Sequence, residues 1–310
     1  MKSRLFTIFV LMTALCGSTF AQSLYVGTYN LRCPNQGDDK AGNGWAVRGE
    51  KACQLMNFEQ PDAFGTQELT IGQIKDALRY MPDYKYIGVA RDDGKEKGEH
   101  AAIFYNTKRV KLLRDGNFWL NETPDVPAKG WDAACVRICT WGQFKLKDKK
   151  FKFYYFNLHM DHVGVVARAE AAKLVVKKIK EITKGAPVIL TGDFNVDQNN
   201  EIFKTFSESG FLKDAYVDAK QRFAPNGTFN SFNPTLSTDS RIDHVFLSPK
   251  FEVNHYGVLT CMYWTPNENV EDQKGKDAPS EINFQEYITR TPSDHYPVLT
   301  KIKFQKKNKK

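Results

Sequence analysis

Residues 185–197 read Gly185-Ala-Pro-Val-Ile-Leu-Thr-Gly-Asp-Phe-Asn-Val-Asp197. Gly185 and Pro187 stop the helical pattern that precedes them. Val188-Ile189-Leu190 has the β-branched, apolar character of a buried strand. That strand then delivers Asp193 and Asn195 within three residues. A buried carboxylate is costly unless it is paired or metal-bound, so the strand end has to supply a partner.

Similar strands recur on either side of this one: Leu24–Asn30, Ala101–Tyr105, Val136–Phe144, Phe151–His159, Arg241–Leu247 and Tyr296–Phe304. They are rich in aromatic and β-branched residues. Helical patterns lie between them. Ile71, Ile74 and Leu78 share one face, and Ala171, Leu174, Val175, Lys178 and Ile182 form another stripe. Strands outnumber helices and the helices are spread along the chain, which predicts an α/β protein with sheets stacked face to face and helices outside. No Pro/Gly/Ser-rich linker divides the chain, and the expectation is one domain over residues 22–305. Residues 265–291 read as a long polar surface loop, and Gly37–Trp45 as a mobile loop near Asn30.

The first residues carry Lys2 and Arg4, an apolar run from Leu5 to Cys16, and small residues Thr19 and Ala21. This is the pattern of a signal peptide cleaved after Ala21, so residues 1–21 are expected to be removed and the protein exported to the periplasm or the extracellular medium. No other segment is apolar enough to span a bilayer, and no stable membrane anchor is expected. The formal charge of +8 falls to +6 when Lys2 and Arg4 leave, and part of the rest sits in the basic tail 306–310. That charge suits an anionic substrate without establishing one. The five cysteines left after cleavage (Cys33, Cys53, Cys135, Cys139, Cys261) are odd in number and scattered, and read as unbridged thiols.

Polar residues gather where apolar strands stop: Asn30, Glu68, His159, the Asp193/Asn195 pair, Asp243 with His244, and Asp294 with His295. One Asp or Asn after a strand is ordinarily a turn or a cap. Together, carboxylates, carboxamides and water make a hard oxygen site suited to Mg²⁺ or Mn²⁺, and imidazoles add proton transfer and charge stabilisation. The sequence has no His-Glu-x-x-His run, no cysteine pair at zinc spacing and no Gly-x-Ser-x-Gly elbow. Metal-assisted hydrolysis of a phosphate ester is the reaction such a set performs well.

The stretches Thr28-Tyr-Asn-Leu-Arg32, Gly65-Thr-Gln-Glu68, Asn157-Leu-His-Met-Asp-His162, Thr191-Gly-Asp-Phe-Asn195, Arg241-Ile-Asp-His244 and Ser293-Asp-His-Tyr-Pro297, in this order and over nearly the whole mature chain, resemble the endonuclease/exonuclease/phosphatase superfamily. Phe118-Trp-Leu-Asn-Glu-Thr-Pro124 further resembles a bacterial secreted branch distantly similar to nocturnin and the deadenylases, with Asn121 standing where many of that branch have Ser. The resemblance implies a four-layer α-β-β-α sandwich of two mixed sheets. It implies Glu68 as the main metal ligand with Asn30 beside it, and Asp294 near the metal. It implies that Asp193 orients or deprotonates the attacking water, and that Asn195 and His159 hydrogen-bond the phosphate. His295 is implied as general base or charged stabiliser, with Asp243 fixing its tautomer. A divalent cation and positively charged imidazoles would then offset the cost of Asp193.

Other assignments rest on the residues alone. Arg137 either reaches a substrate phosphate or makes a structural ion pair. Asp161 and His162 either orient His159 or belong to a solvent-facing loop. Arg168 is expected in a salt bridge, and Tyr105 in the core rather than on phosphate. The leading expectation is a monomeric phosphodiesterase acting on nucleic acid or nucleotides by direct water attack. The alternatives are a phosphomonoesterase on sugar or inositol phosphates, a sphingomyelinase-like lipid hydrolase, and, remotely, a binding module without catalysis.

Overall fold

The computed structural model describes residues 22–267, 273–275 and 277–305. Residues 1–21, expected to be a signal peptide, and the basic tail 306–310 lie outside the described residues. Along the chain the elements are β1 (Gln22–Asn30), α1 (Gln36–Lys40), α2 (Trp45–Glu59), β2 (Ala63–Gln67), α3 (Ile71–Tyr80), β3 (Tyr84–Ile87), β4 (Ile103–Asn106), β5 (Val110–Trp119), β6 (Ile138–Leu146), β7 (Lys152–His159), α4 (Val165–Thr183) and β8 (Val188–Asp193). There follow α5 (Glu201–Ser207), β9 (Lys213–Asp214), α6 (Ala215–Asp218), β10 (Gln221–Phe223), β11 (Asp243–Leu247), β12 (Phe251–Val258), β13 (Tyr263–Pro266), β14 (Gln273–Lys274), β15 (Asn283–Phe284), β16 (Tyr287–Arg290) and β17 (Val298–Phe304).

Two mixed sheets carry the fold, one ordered β10-β12-β17-β1-β2-β4-β3 and the other β5-β6-β7-β8-β11-β9. Leu24, Val26, Ile103, Phe144, Phe153, Tyr155, Ile189, Val245, Val298 and Ile302 fill the space between them. The outer face of the six-stranded sheet packs Phe156, Leu190 and Phe246 against Ala171, Val175 and Ile179 of α4 and Phe203 and Phe206 of α5. The outer face of the seven-stranded sheet packs Tyr29, Phe64 and Phe104 against Ala52, Cys53 and Met56 of α2 and Ile74 and Ala77 of α3. Each fully buried large apolar side chain contributes about 1.5–3 kcal/mol, so both faces of both central sheets are stabilised. This is the expected four-layer sandwich.

Strand alternation places the polar strand ends. Successive side chains point to opposite faces, so Ile189, Thr191 and Asp193 of β8 share the face that looks into the space between the sheets. The same parity runs through Val26, Thr28 and Asn30 of β1, through Tyr155, Asn157 and His159 of β7, and through Asp243 and Val245 of β11. Register aligns them: Asn30 pairs with Gln67, His159 with Asp193, and Asp243 with Asp193. The apolar interior thus turns polar at one end of the sandwich.

A buried polar stitch lies just beneath. Asn157 Nδ2 donates to the carbonyls of Thr66 (2.8 Å) and Ala102 (2.9 Å), and Gln67 Nε2 donates to Asn157 Oδ1 at 2.7 Å. Gly65 makes this possible, because a Cβ there would stand 2.1 Å from Asn157 Oδ1.

Several expectations need correction. Gly37–Trp45, expected as a mobile loop, holds the last four residues of α1 and the first residue of α2. Residues 265–291 are not a simple loop either, since β13 pairs with β16 and β14 with β15. In α4 the buried stripe is Ala167, Ala171, Ala172, Val175, Ile179 and Thr183, so Leu174, Lys178 and Ile182 flank it. The five cysteines in the described residues are all free, as expected.

Candidate active site

The strand ends close on Asp193, which is 2% exposed. Its Oδ1 accepts the backbone N–H of Asn195 at 2.9 Å, and its Oδ2 accepts from Asn30 Nδ2 at 3.0 Å. His159 Nε2 and His295 Nε2 stand 3.6 and 3.8 Å from the same Oδ2. Burial and the neighbouring Asp243 push the Asp193 carboxyl well up from the usual carboxylate range, against the pull of His295.

Asn30 clamps two carboxylates, because its Nδ2 also donates to Glu68 Oε1 at 3.0 Å. Its own Oδ1 is taken by the Arg32 N–H at 3.0 Å. Glu68 follows β2 in a left-handed conformation, φ 69°, which turns its side chain back toward Asn30. Burial raises the Glu68 carboxyl. The Cys33 N–H, Asn30, His295 and Arg32 outweigh burial, and it lies below its ordinary value. Asp294 is buried, with Oδ2 3.6 Å from Arg32 Nε and Oδ1 3.4 Å from Ser293 Oγ.

The two histidines differ. Burial works against a charged His295, but Asp243 Oδ2 at 2.8 Å from its Nδ1, with Asp193 and Asp294 nearby, raises it well above its ordinary value. His159 is driven the other way by burial and by Arg137 and Arg91, and stays neutral. The two imidazoles are thus biased in opposite directions, His295 toward the charged form and His159 toward the neutral one. The physical reason is that His295 is enclosed by carboxylates and His159 stands beside guanidiniums.

Asn195, at φ 49°, donates from Nδ2 to Met160 O at 3.0 Å, which orients the amide and leaves its second N–H for a ligand. Arg137 makes the structural ion pair that was one of its two expected roles. Its Nε pairs with Asp161 Oδ2 at 3.3 Å and its Nη2 lies 2.9 Å from His162 Nδ1, while its buried Nη1 has no partner. It lines the same cleft as His159 and Asp193. Asp161 does not orient His159. Its Oδ1 accepts from the Val163 and Gly164 N–H groups and its Oδ2 from the Cys135 N–H. Arg168 donates to the Asp161 carbonyl at 3.0 Å instead of making a salt bridge. Tyr105 packs in the core on Phe144.

The cleft encloses about 610 Å³. It includes residues that the sequence reading missed. Glu99 pairs with Arg91 at 2.6 Å and lies 3.9 Å from His159 Nδ1. Burial raises the Glu99 carboxyl to about 7, opposed by Arg91 and helped by Glu68. Both residues sit in the charged stretch 91–99, where nothing in the sequence separates them from solvated neighbours. Arg32, Asp38, Asn43, Phe229 and Phe232 complete the rim.

Glu68, His159 and Asp193 present ligand atoms within 4.8 Å of one another. The two carboxylates and the imidazole form a donor set that fits a hard divalent cation, with Asp294 lining the same cleft and Asn30 holding both carboxylates through Nδ2 rather than presenting its oxygen. Such a cation neutralises phosphate charge and lowers the pKa of water. Around it, Asp193 can hold or accept the proton of an attacking water. Asn195, neutral His159 and charged His295 can donate to phosphate oxygens, and Arg137 Nη1 can add a charged hydrogen bond.

Fold and site together define a metal-dependent phosphoesterase. The model of the endonuclease/exonuclease/phosphatase family matches residues 27–295, and the chain belongs to that family. An endonuclease/exonuclease/phosphatase family protein of Bacteroides thetaiotaomicron is 49% identical, with TM-score 0.85, over 92% of this chain and 99% of the other. A mannosyl-6-phosphatase of Bacteroides thetaiotaomicron is also 49% identical, with TM-score 0.83, over 90% of this chain and 99% of the other. The catalytic domain of human nocturnin shares the fold at 18% identity and TM-score 0.64, over 91% of this chain and 94% of the other.

Proposed function

We propose that this chain is an Mg²⁺- or Mn²⁺-dependent phosphomonoesterase acting on a hexose phosphate of the mannose 6-phosphate type. The observation that carries the reading is the 49% identity along nearly the full length of a mannosyl-6-phosphatase. The cleft supports it. Asp38, Glu68, Glu99, Asp193 and Asp294 line it against Arg32, Arg91 and Arg137, a mixed lining that favours a small, singly phosphorylated substrate over an extended phosphate backbone. A single terminal phosphate, bound by His295, Asn195 and Arg137 and by the cation, suits it better. Among the described residues no helix is long and apolar enough to cross a membrane. With the leader expected from the sequence, the proposed setting is a monomer working outside the cytoplasm.

The test strips the mature protein with EDTA, restores Mg²⁺ or Mn²⁺, and offers mannose 6-phosphate, glucose 6-phosphate, a phosphodiester, single-stranded RNA and single-stranded DNA, with His295→Ala as control. Metal- and His295-dependent phosphate release from a hexose phosphate is expected. Cleavage of the diester or nucleic acids alone would replace this reading with the nuclease expected first.

A further inference from the structure

Phosphate recognition leaves one part of the cleft unexplained. Among charged neighbours, the turn 228–233 sets Phe229 and Phe232 into the lining, with Phe229 42% exposed. Ser231 and Phe232 are consecutive non-glycine residues in the left-handed region, at φ 53° and 57°. Such strain persists where the surroundings enforce it, and it concentrates at ligand sites.

The enforcing residue is buried Asn230. Its N–H donates to Asp294 O at 2.7 Å and its Nδ2 to Ser293 O at 3.1 Å. Its Oδ1 accepts from the Phe232 N–H at 2.8 Å and from Thr291 Oγ1 at 3.1 Å. The turn is thereby locked to the segment that carries Asp294 and His295. Phe229 stands edge-on to the His295 ring at 5.1 Å, and the Arg48 guanidinium lies 5.3 Å from the Phe232 ring. The result is a rigid apolar wall beside the imidazolium.

Two polar groups of the same cleft are also uncommitted. Asp38 accepts at Oδ2 from Arg32 and Asn35, and its Oδ1 has no donor among the described residues. Asn43 accepts at Oδ1 from Arg290 Nη1 at 2.9 Å, and its Nδ2 has no acceptor among the described residues. A hydroxyl both donates and accepts, so a free acceptor and a free donor beside an apolar wall match a ring with one carbon-rich face and a hydroxyl edge.

We propose that Phe229, Phe232, Asp38 and Asn43 form the subsite for the alcohol portion of the substrate, a hexose ring, and that they set the enzyme's preference for it. This rests on the phosphomonoesterase reading and deepens it. The aromatic wall takes the carbon face of the ring, and Asp38 and Asn43 take its hydroxyls.

The experiment measures kcat/KM for mannose 6-phosphate, glycerol 3-phosphate and a nucleoside 5′-monophosphate with wild type, Phe229→Ala, Phe229→Leu and Asn43→Ala, alongside thermal melts. The expected result is that the mannose-to-glycerol ratio falls by about tenfold or more in Phe229→Ala and Asn43→Ala, chiefly through KM. Phe229→Leu, which keeps apolar bulk, should recover part of it. If Phe229 acted only through His295, both substrates would lose kcat alike. An unchanged ratio in a folded variant overturns the subsite and leaves the phosphomonoesterase standing. A wild type that hydrolyses only diesters overturns both. A loss confined to the nucleoside monophosphate overturns the hexose assignment. If Phe229→Ala fails to fold, Asn43→Ala decides the matter.

Discussion

His295 Nδ1 lies 2.8 Å from Asp243 Oδ2, and both groups are buried. The carboxylate fixes the ring's orientation and holds its proton. Asp243→Asn should lower kcat on the order of 10²-fold. Losing the anion lowers the His295 pKa, so the alkaline limb of the kcat–pH profile should move to lower pH. An alkaline limb that stays in place would show that His295 is not the group held charged.

Arg137 lines the cleft, is fixed on one side by Asp161 and His162, and has a buried Nη1 with no partner among the described residues. Arg137→Met should raise KM for a phosphate substrate by about tenfold, since a charge-assisted hydrogen bond is worth roughly 1.5–3 kcal/mol. Arg137→Lys should recover little, because an ammonium cannot reproduce the planar fork. Equal KM in all three proteins would confine Arg137 to a structural role.

Arg48, 1% exposed, donates to the carbonyls of Leu31, Arg32, Asn43 and Pro292 at 2.7–3.2 Å. It joins the segment after β1 to the one before Asp294. Arg48→Met leaves four acceptors to be re-solvated, and about 2–4 kcal/mol of stability should be lost. Denaturant unfolding measures it. A loss within about 0.5 kcal/mol would mean that water replaces the guanidinium without cost.

Burial and the neighbouring Asp243 hold the Asp193 carboxyl above its ordinary value in the fold, against about 3.9 when unfolded. A raised carboxyl contributes stability that is fully present below the unfolded pKa and is lost as pH rises through the folded one. In EDTA, Asp193→Asn should therefore gain on the wild type in relative Tm as pH rises above about 4.5. A difference in Tm that does not change with pH would contradict the raised pKa.

A bound divalent cation offsets the same cost. Mn²⁺ at a hundredfold excess over its Kd should stabilise the protein by about 2.7 kcal/mol, with protons released on binding below pH 7. Glu68→Gln should lose most of this thermal shift. Calorimetry in two buffers of different ionisation enthalpy counts the protons.

The sequence by itself determined the layers, because strand and helix periodicities are local, and it marked Asn30, Glu68, His159, Asp193, Asn195, Asp243 and His295, because polar residues gathered at the ends of several apolar strands stand out together although each alone reads as a turn or cap. It concealed α2, whose face toward the sheet includes the cation of Arg48. Glu99, Arg91, Phe229 and Phe232 were illegible, since nothing within their own segments distinguishes a cleft wall from a solvated loop. Tertiary structure alone set the two histidines in opposite electrostatic surroundings. A protonation state depends on what converges from other strands: carboxylates around His295, and Arg91 and Arg137 beside His159. Strand register and the inter-sheet stitch through Asn157 bring those groups within reach of one another, and no local stretch of chain encodes that distance.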